Sequence, residues 1–454
     1  MLGIVIIAVI GIAMLLMLAK PKLGLVLLWP LLFLYPHYYM YEKNIIPLNM
    51  GIDDIFICSM FVIVFLRRNI IEGVLCRFGY SFWISLCFLF LLVISNLNSY
   101  LIAPDQYQEF LKAGLKGFIT LFLCYSFVNL IDDMKDMERL LAAFCISACA
   151  GAIIMILQNF FPERLIIFTS PSYAFSVQYG GDISPVGAFM NRSNAAIVLG
   201  ISIIFLLSTM HIKSRSFKTT TRLVMVGIMM VAILLTKSRS GFLCLTISLI
   251  IALFVRESRR YAIAFMVMGL LFLTVLPFAR DALLSRFGFG DITQTDNIGI
   301  LAPIKDRLTV VFDLWQKVTL RNLLLGQNDV INIIKGQATP HNMYFGIPLT
   351  YGIGGSLWLF LLVVMMLRKT AIMKQSLDLN IVSLARVVNR CLVVFLLYGI
   401  IGGITENYYV RYCLFLLTVI SQRGLDISLA ESEEGRLYEH SDQHDGKEEN
   451  YQCR

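Results

Sequence analysis

The stretch "RLVMVGIMMVAILLTKSRSGFLCLTISLIIALFVRESRR", residues 222–260, sets two strongly apolar runs on either side of Lys237 and Arg239. The runs, 223–236 and 241–255, read as membrane helices, and almost no room is left between them for a loop. Charges that deep in hydrophobic sequence cost several kcal/mol unless something requires them. Whatever folds around this turn must hold two cations at a membrane surface.

The rest of the chain has the same character. Of its 454 residues 58% are hydrophobic and 15% charged, and mean hydropathy is +0.75, far from the balance of a soluble domain. Apolar runs recur near 2–19, 23–41, 51–66, 79–95, 113–131, 140–158, 186–209, 223–236, 241–255, 261–278, 343–367, 391–405 and 408–421. Such runs cross a ~30 Å hydrocarbon core as helices, because only closed backbone hydrogen bonding survives there. The expectation is an all-α, polytopic membrane protein of 12–13 spans, the second in doubt because Pro30 and Pro36 interrupt it. The first run lacks a basic leader and a small-residue cleavage site, so it reads as a retained span.

Orientation follows from the basic residues of short loops. One alternating set, from "KPK" (20–22) to Arg390, holds nineteen Lys and Arg, and the other holds seven: Lys43, Lys112, Lys116, Arg164, Lys237, Arg239 and Arg411. The first set is expected in the cytoplasm. The 279–342 segment and the Lys237–Arg239 turn then face outward. Residues 422–454 form an acidic tail expected to be disordered and cytoplasmic. The +8 net charge lies beside spans and does not indicate nucleic-acid binding. The ten cysteines lie mostly within apolar runs and read as small hydrophobes, with no metal spacing and no disulfide expected.

Four outward stretches carry unusual residues. In "SPVGAFMNRSNAA" (184–196), Arg192 is expected about two turns inside a span, either snorkelling to the interface or binding an anion. At the 237–241 turn, Arg239 offers a bidentate fork and Lys237 a point charge, and the next helix start adds free N–H donors for phosphate. The bland alternative is a turn whose cations touch lipid headgroups. In "APIKDRLTVVFDLWQKVTLRNLLLG" (302–326), Leu308, Val311, Trp315 and Val318 make an amphipathic helical stripe beside Arg307. In "ATPHNMYFGIPLTYGIGG" (338–355), His341 precedes a span where a membrane-edge base would act, and the glycines suit close helix packing. Glu406 stands at another outer helix end. Asp53 and Asp54 also face outward, as a polar helix start or a divalent-cation pair.

Taken in order, the "FMNRSN" helix, the "SRSG" turn opening an apolar helix, the long outer segment with its "R…W" helix and the "HN" before a "GIGG" span resemble the bacterial O-antigen ligase/polymerase family across 184–356. Residues 1–183 match only as generic spans. The resemblance implies a GT-C-like architecture, with N-terminal helices 1–183, a core at 184–421 and the tail at 422–454. It further implies glycosyl transfer at the outer face of the bacterial inner membrane, from undecaprenyl-pyrophosphate-linked glycan to a second glycan (polymerase) or a lipid-core sugar (ligase), without metal or other cofactor. A chain-length regulator or a flippase would be partners. On this resemblance Arg192, Arg239, Lys237 and Arg307 hold pyrophosphate, His341 is base or acceptor-orienting residue, and Asn342, Trp315 and Glu406 contact acceptor or sugar. Two alternatives stand beside it: a metal-dependent transferase using a lipid-monophosphate sugar through Asp53 or Asp54, and a lipid-linked oligosaccharide flippase.

Overall fold

The computed structural model describes residues 2–34, 51–73, 77–168, 186–189, 192–209, 218–236, 238–256, 258–275, 313–328, 331, 336, 342–400 and 408–448. Among these there are helices and turns and no strand. In chain order the α-helices are α1 (Leu2–Ala19), α2 (Gly24–Phe33), α3 (Ile52–Leu66), α4 (Tyr80–Ile102), α5 (Tyr107–Leu130), α6 (Met134–Phe160), α7 (Arg192–Ser208), α8 (Thr219–Leu235), α9 (Arg239–Leu253), α10 (Arg259–Val275), α11 (Leu320–Leu325), α12 (Met343–Met373), α13 (Leu379–Tyr398) and α14 (Tyr408–Glu448). Among the described residues, six segments can cross a membrane by length and composition, those of α4, α5, α6, α12, α13 and the first part of α14. Shorter apolar helices accompany them, and the chain is a multi-pass membrane protein.

Hydrogen bonds and ion pairs between helix ends define two ends of the bundle. At the first, the α1–α2 turn meets the α5–α6 turn through Lys22 and Asp132 at 3.0 Å, Arg423 of α14 donates to the Ile131 carbonyl at 2.8 Å, and Tyr80 at the start of α4 donates to Thr418 O at 2.9 Å. At the far end, Gln158 near the end of α6 accepts from Gly187 N at 2.8 Å just before α7, and the start of α12 bonds the end of α13 through Met343 N and Gly399 O at 2.7 Å. The interior between them holds aromatic rings in contact, Trp29 against Phe144 at 4.9 Å and Phe33 against Phe189 at 5.4 Å.

Several spans differ from the expectation. α2 has ten residues with Pro30 inside, about 15 Å of helix by its rise per residue, and it buries Trp29 and Phe33 instead of crossing alone. α4 runs on to Ile102 because its polar end is buried and bonded, as described below. α13 begins at Leu379, twelve residues before the apolar run, since Ser383 and Arg390 belong to a helix face and not to a loop. Lys112 and Lys116 lie within α5, and Arg411 within α14, not in outer loops. Nor does the tail begin at 422: Gln422, Arg423 and Leu425 are buried, and α14 continues helical through Glu448. The absence of proline after Tyr408 and the run of Leu, Ala, Glu and Arg permit that continuation.

Candidate functional site

α7 and α9 run parallel, side by side. The Cys244 thiol lies 3.3 Å from the Ala196 carbonyl and the Ser248 hydroxyl 3.4 Å from the Gly200 carbonyl, the same offset of 48 residues in both pairs. Gly200 makes this approach possible, because a Cβ there would sit 2.6 Å from the Cys244 sulfur. The register places the first residue of α7, Arg192, level with Ser240, next to Arg239, the first residue of α9. Arg192 is therefore not two turns inside a span: a 3₁₀ turn, Gly187–Phe189, precedes α7, and Asn194 donates back to the Phe189 carbonyl at 3.0 Å. Arg192 is half-buried. Two helix N-termini, each opened by an arginine, thus meet at the far end, where their macrodipoles favour an anion.

The α8–α9 turn is tightly made. Ser238 is the N-cap of α9 and accepts from Gly241 N at 3.3 Å, while its hydroxyl sits 2.8 Å from that of Ser240. Thr236, fully buried, closes α8 by donating to Ile233 O at 2.7 Å. One of the N–H donors expected to be free for phosphate is therefore occupied by the cap. Lys237, Arg307, His341 and Glu406 lie outside the described residues, and for Arg239 only the backbone is described.

Asn342, proposed as a sugar contact, spends its amide on the fold. Its Oδ1 accepts from Tyr344 N at 2.9 Å and Phe345 N at 3.4 Å as the N-cap of α12, and its Nδ2 donates to Ile400 O at 2.7 Å. Trp315 stacks edge-on against Phe345, 6.5 Å between centroids, so the short helix at 313–316 packs on the start of α12. The single amphipathic helix expected over 302–326 is broken: helix at 313–316 gives way to a turn, and Thr319 caps the separate α11, accepting from Asn322 N at 3.2 Å.

The glycines of "GIGG" do more than pack. Gly352 has φ 68 and breaks α12 within the span, and Gly326, φ 77, lies against it, where a Cβ would be 2.6 Å from Gly352 N. The freed backbone is satisfied by other elements: Gln327 N donates to Leu349 O at 2.9 Å, Ser95 to Thr350 O at 2.5 Å, and Asn98 to Gly326 O at 2.6 Å. Ser99 accepts from Asn328 N at 2.8 Å.

Two further features escaped the sequence reading. Asp53 and Asp54, at the start of α3, are buried, with Gly51 N donating to Asp54 Oδ2 at 2.8 Å and Lys116 of α5 paired to the same oxygen. Among the described residues, Asp53 Oδ2 and Asp54 Oδ1 have no hydrogen-bond partner. Among the described residues no group of three or more His, Cys, Asp or Glu gathers around a common point. Arg411, read from sequence as a loop charge, is buried one turn into α14, its guanidinium 5.9 Å from the Phe88 ring centroid and its Nε without a hydrogen-bond partner among the described residues. An arginine inside "YYVRYCLFLL" was the available signal. No family model matches the chain, and no curated protein or solved structure is significantly similar to it.

Proposed function

We propose that the protein transfers a glycan from undecaprenyl pyrophosphate to an acceptor sugar hydroxyl at the outer face of a bacterial inner membrane, as a polysaccharide polymerase or an O-antigen ligase. The observation that carries this reading is the parallel pairing of α7 and α9, which sets Arg192 and Arg239 at neighbouring helix starts. When the anomeric bond breaks, negative charge builds on the departing pyrophosphate. Paired helix N-termini and fixed guanidinium groups suit that charge, and one such donor in a low-dielectric site is worth ~3–4 kcal/mol of barrier. His341, Lys237, Arg307 and Glu406 keep the roles the family resemblance implies, and Arg411 joins them as a desolvated cation. In this reading twelve or thirteen spans place the far end outside and the first end, with most of the basic residues, in the cytoplasm.

Purified protein supplied with a defined lipid-pyrophosphate glycan tests it. Arg192→Ala and Arg239→Ala each lower transfer by about 10²–10³-fold with membrane expression unchanged. Full transfer by both variants overturns the site.

The buried Asp53–Asp54 pair favours a second reading, a metal-dependent transferase. Loss of transfer in chelator with recovery on adding a divalent ion would select it. A flippase would exploit a broken helix such as α12, but here the break is filled by the 324–327 backbone and not by an open cavity.

A further inference from the structure

We propose that a cavity of about 570 Å³ at the first end binds the phosphate of an anionic phospholipid. Its walls come from the α1–α2 turn, the end of α3 with the following π-helical turn, the end of α5 with the turn after it, and Arg139 of α6. The floor is fixed by ion pairs: Lys22 lies 3.0 Å from Asp132 and 2.5 Å from the buried Asp136, and Arg68 lies 2.9 Å from Asp132. Burial opposes both charges of the Lys22–Asp132 pair, yet the two aspartates hold the Lys22 ammonium above its ordinary range. That scaffold leaves cations over at the mouth. Lys20 has no ion-pair partner among the described residues, and Arg67 and Arg139 each reach one carboxylate while their side chains stay 42% and 62% exposed. Five cations line the cavity against Glu72 and Asp132, with Asp136 behind them, so two positive charges remain unbalanced.

The surroundings point to a lipid as the source of the anion. Val26 and Val64 make an apolar side wall, and the adjacent Ile70 and Ile71 are 70% and 78% exposed. In a multi-pass protein such isoleucines belong among acyl chains, at the level where headgroup phosphates begin. A ligand with phosphate above and acyl chain below meets both requirements. A basic pocket between helix ends beside the membrane is the arrangement that recognises anionic headgroups. This inference does not depend on the transfer chemistry.

The test is native mass spectrometry of the full chain released from detergent containing phosphatidylglycerol or phosphatidylcholine. The expected result is preferential retention of phosphatidylglycerol, reduced about fivefold by Lys20→Gln and by Arg139→Gln and unchanged by Arg256→Gln, a basic residue of a different turn. Equal retention of the two lipids overturns the proposal. So does an equal loss in Arg256→Gln, which would mean diffuse surface attraction. Displacement of the lipid by millimolar inorganic phosphate overturns the lipid assignment in favour of a soluble phosphate.

Discussion

Cys244 and Ala196 hold α9 and α7 in parallel register, thiol to carbonyl at 3.3 Å. A buried contact in the second turn of each helix thereby sets how the two arginines stand at their starts. Separation of the two helices should act on the candidate site from a distance.

Gly200→Val tests that coupling. The new side chain must displace Cys244 or push α9 away, since even a Cβ would sit 2.6 Å from the sulfur. Overpacking of this kind costs about 1–3 kcal/mol. Glycan transfer should fall by more than tenfold while the protein still inserts and remains monodisperse. Wild-type turnover in that variant would separate the register from the activity.

Arg411→Met should divide stability from function. A buried cation whose Nε has no partner among the described residues is replaced by an apolar chain of similar length, a change that is neutral or stabilising in buried settings. Thermal unfolding in detergent should move upward or not at all, while transfer declines. A large drop in melting temperature would show that Arg411 is a structural brace.

The Asp54–Lys116 pair calls for a double-mutant cycle. Asp54→Asn or Lys116→Met alone leaves a buried charge uncompensated, at about 3–5 kcal/mol. The double variant should recover much of that loss, giving a coupling energy well outside experimental error. Simple additivity in denaturant melts would mean the pair is solvated.

Gly352→Ala should destabilise strongly. A non-glycine residue in this left-handed conformation costs about 1–3 kcal/mol, and the added Cβ also runs into the Leu324 carbonyl. A melting temperature lower by several degrees, rescued by no other substitution at 352, is the expected outcome.

The Lys22–Asp132 pair fixes a pH dependence. Burial raises the Asp132 carboxyl, but Lys22 and then Arg68 outweigh it and leave it below the usual range. Its stabilisation is therefore complete above the ordinary carboxylate pKa of about 4 and fades as pH falls through the lower folded value. Lys22, raised in the folded protein, loses its share only as pH climbs past the ordinary lysine range. Melting temperature against pH should lose its acid limb, in part, in Asp132→Asn.

The run of apolar segments was readable because a bilayer demands helices of a minimum length, and the six long spans follow from it. What escaped was polarity buried inside the protein. A hydropathy pattern stops at Asn96, Asn98 and Ser99, although α4 continues because the 326–328 backbone and Asn328 satisfy those side chains from 228 residues or more away. Arg411 and Lys116 sounded like loop charges for the same reason: sequence shows a charge but not the aspartate or the ring against which it is buried. The helix break at Gly352 depends on Gly326, and neither glycine announces the other. Of the candidate site, the arginines at 192 and 239 were visible as residue types, whereas their adjacency rests on the Cys244 and Gly200 packing.

The crossing of Gly326 over Gly352 also ties together pieces of the chain that are remote in sequence. Asn98 of α4 holds the Gly326 carbonyl, and Gln327 N holds the Leu349 carbonyl of α12, so residues 324–328 act as a clasp between two helices more than two hundred residues apart. Any change that moves the clasp is felt on α4 and α12 together.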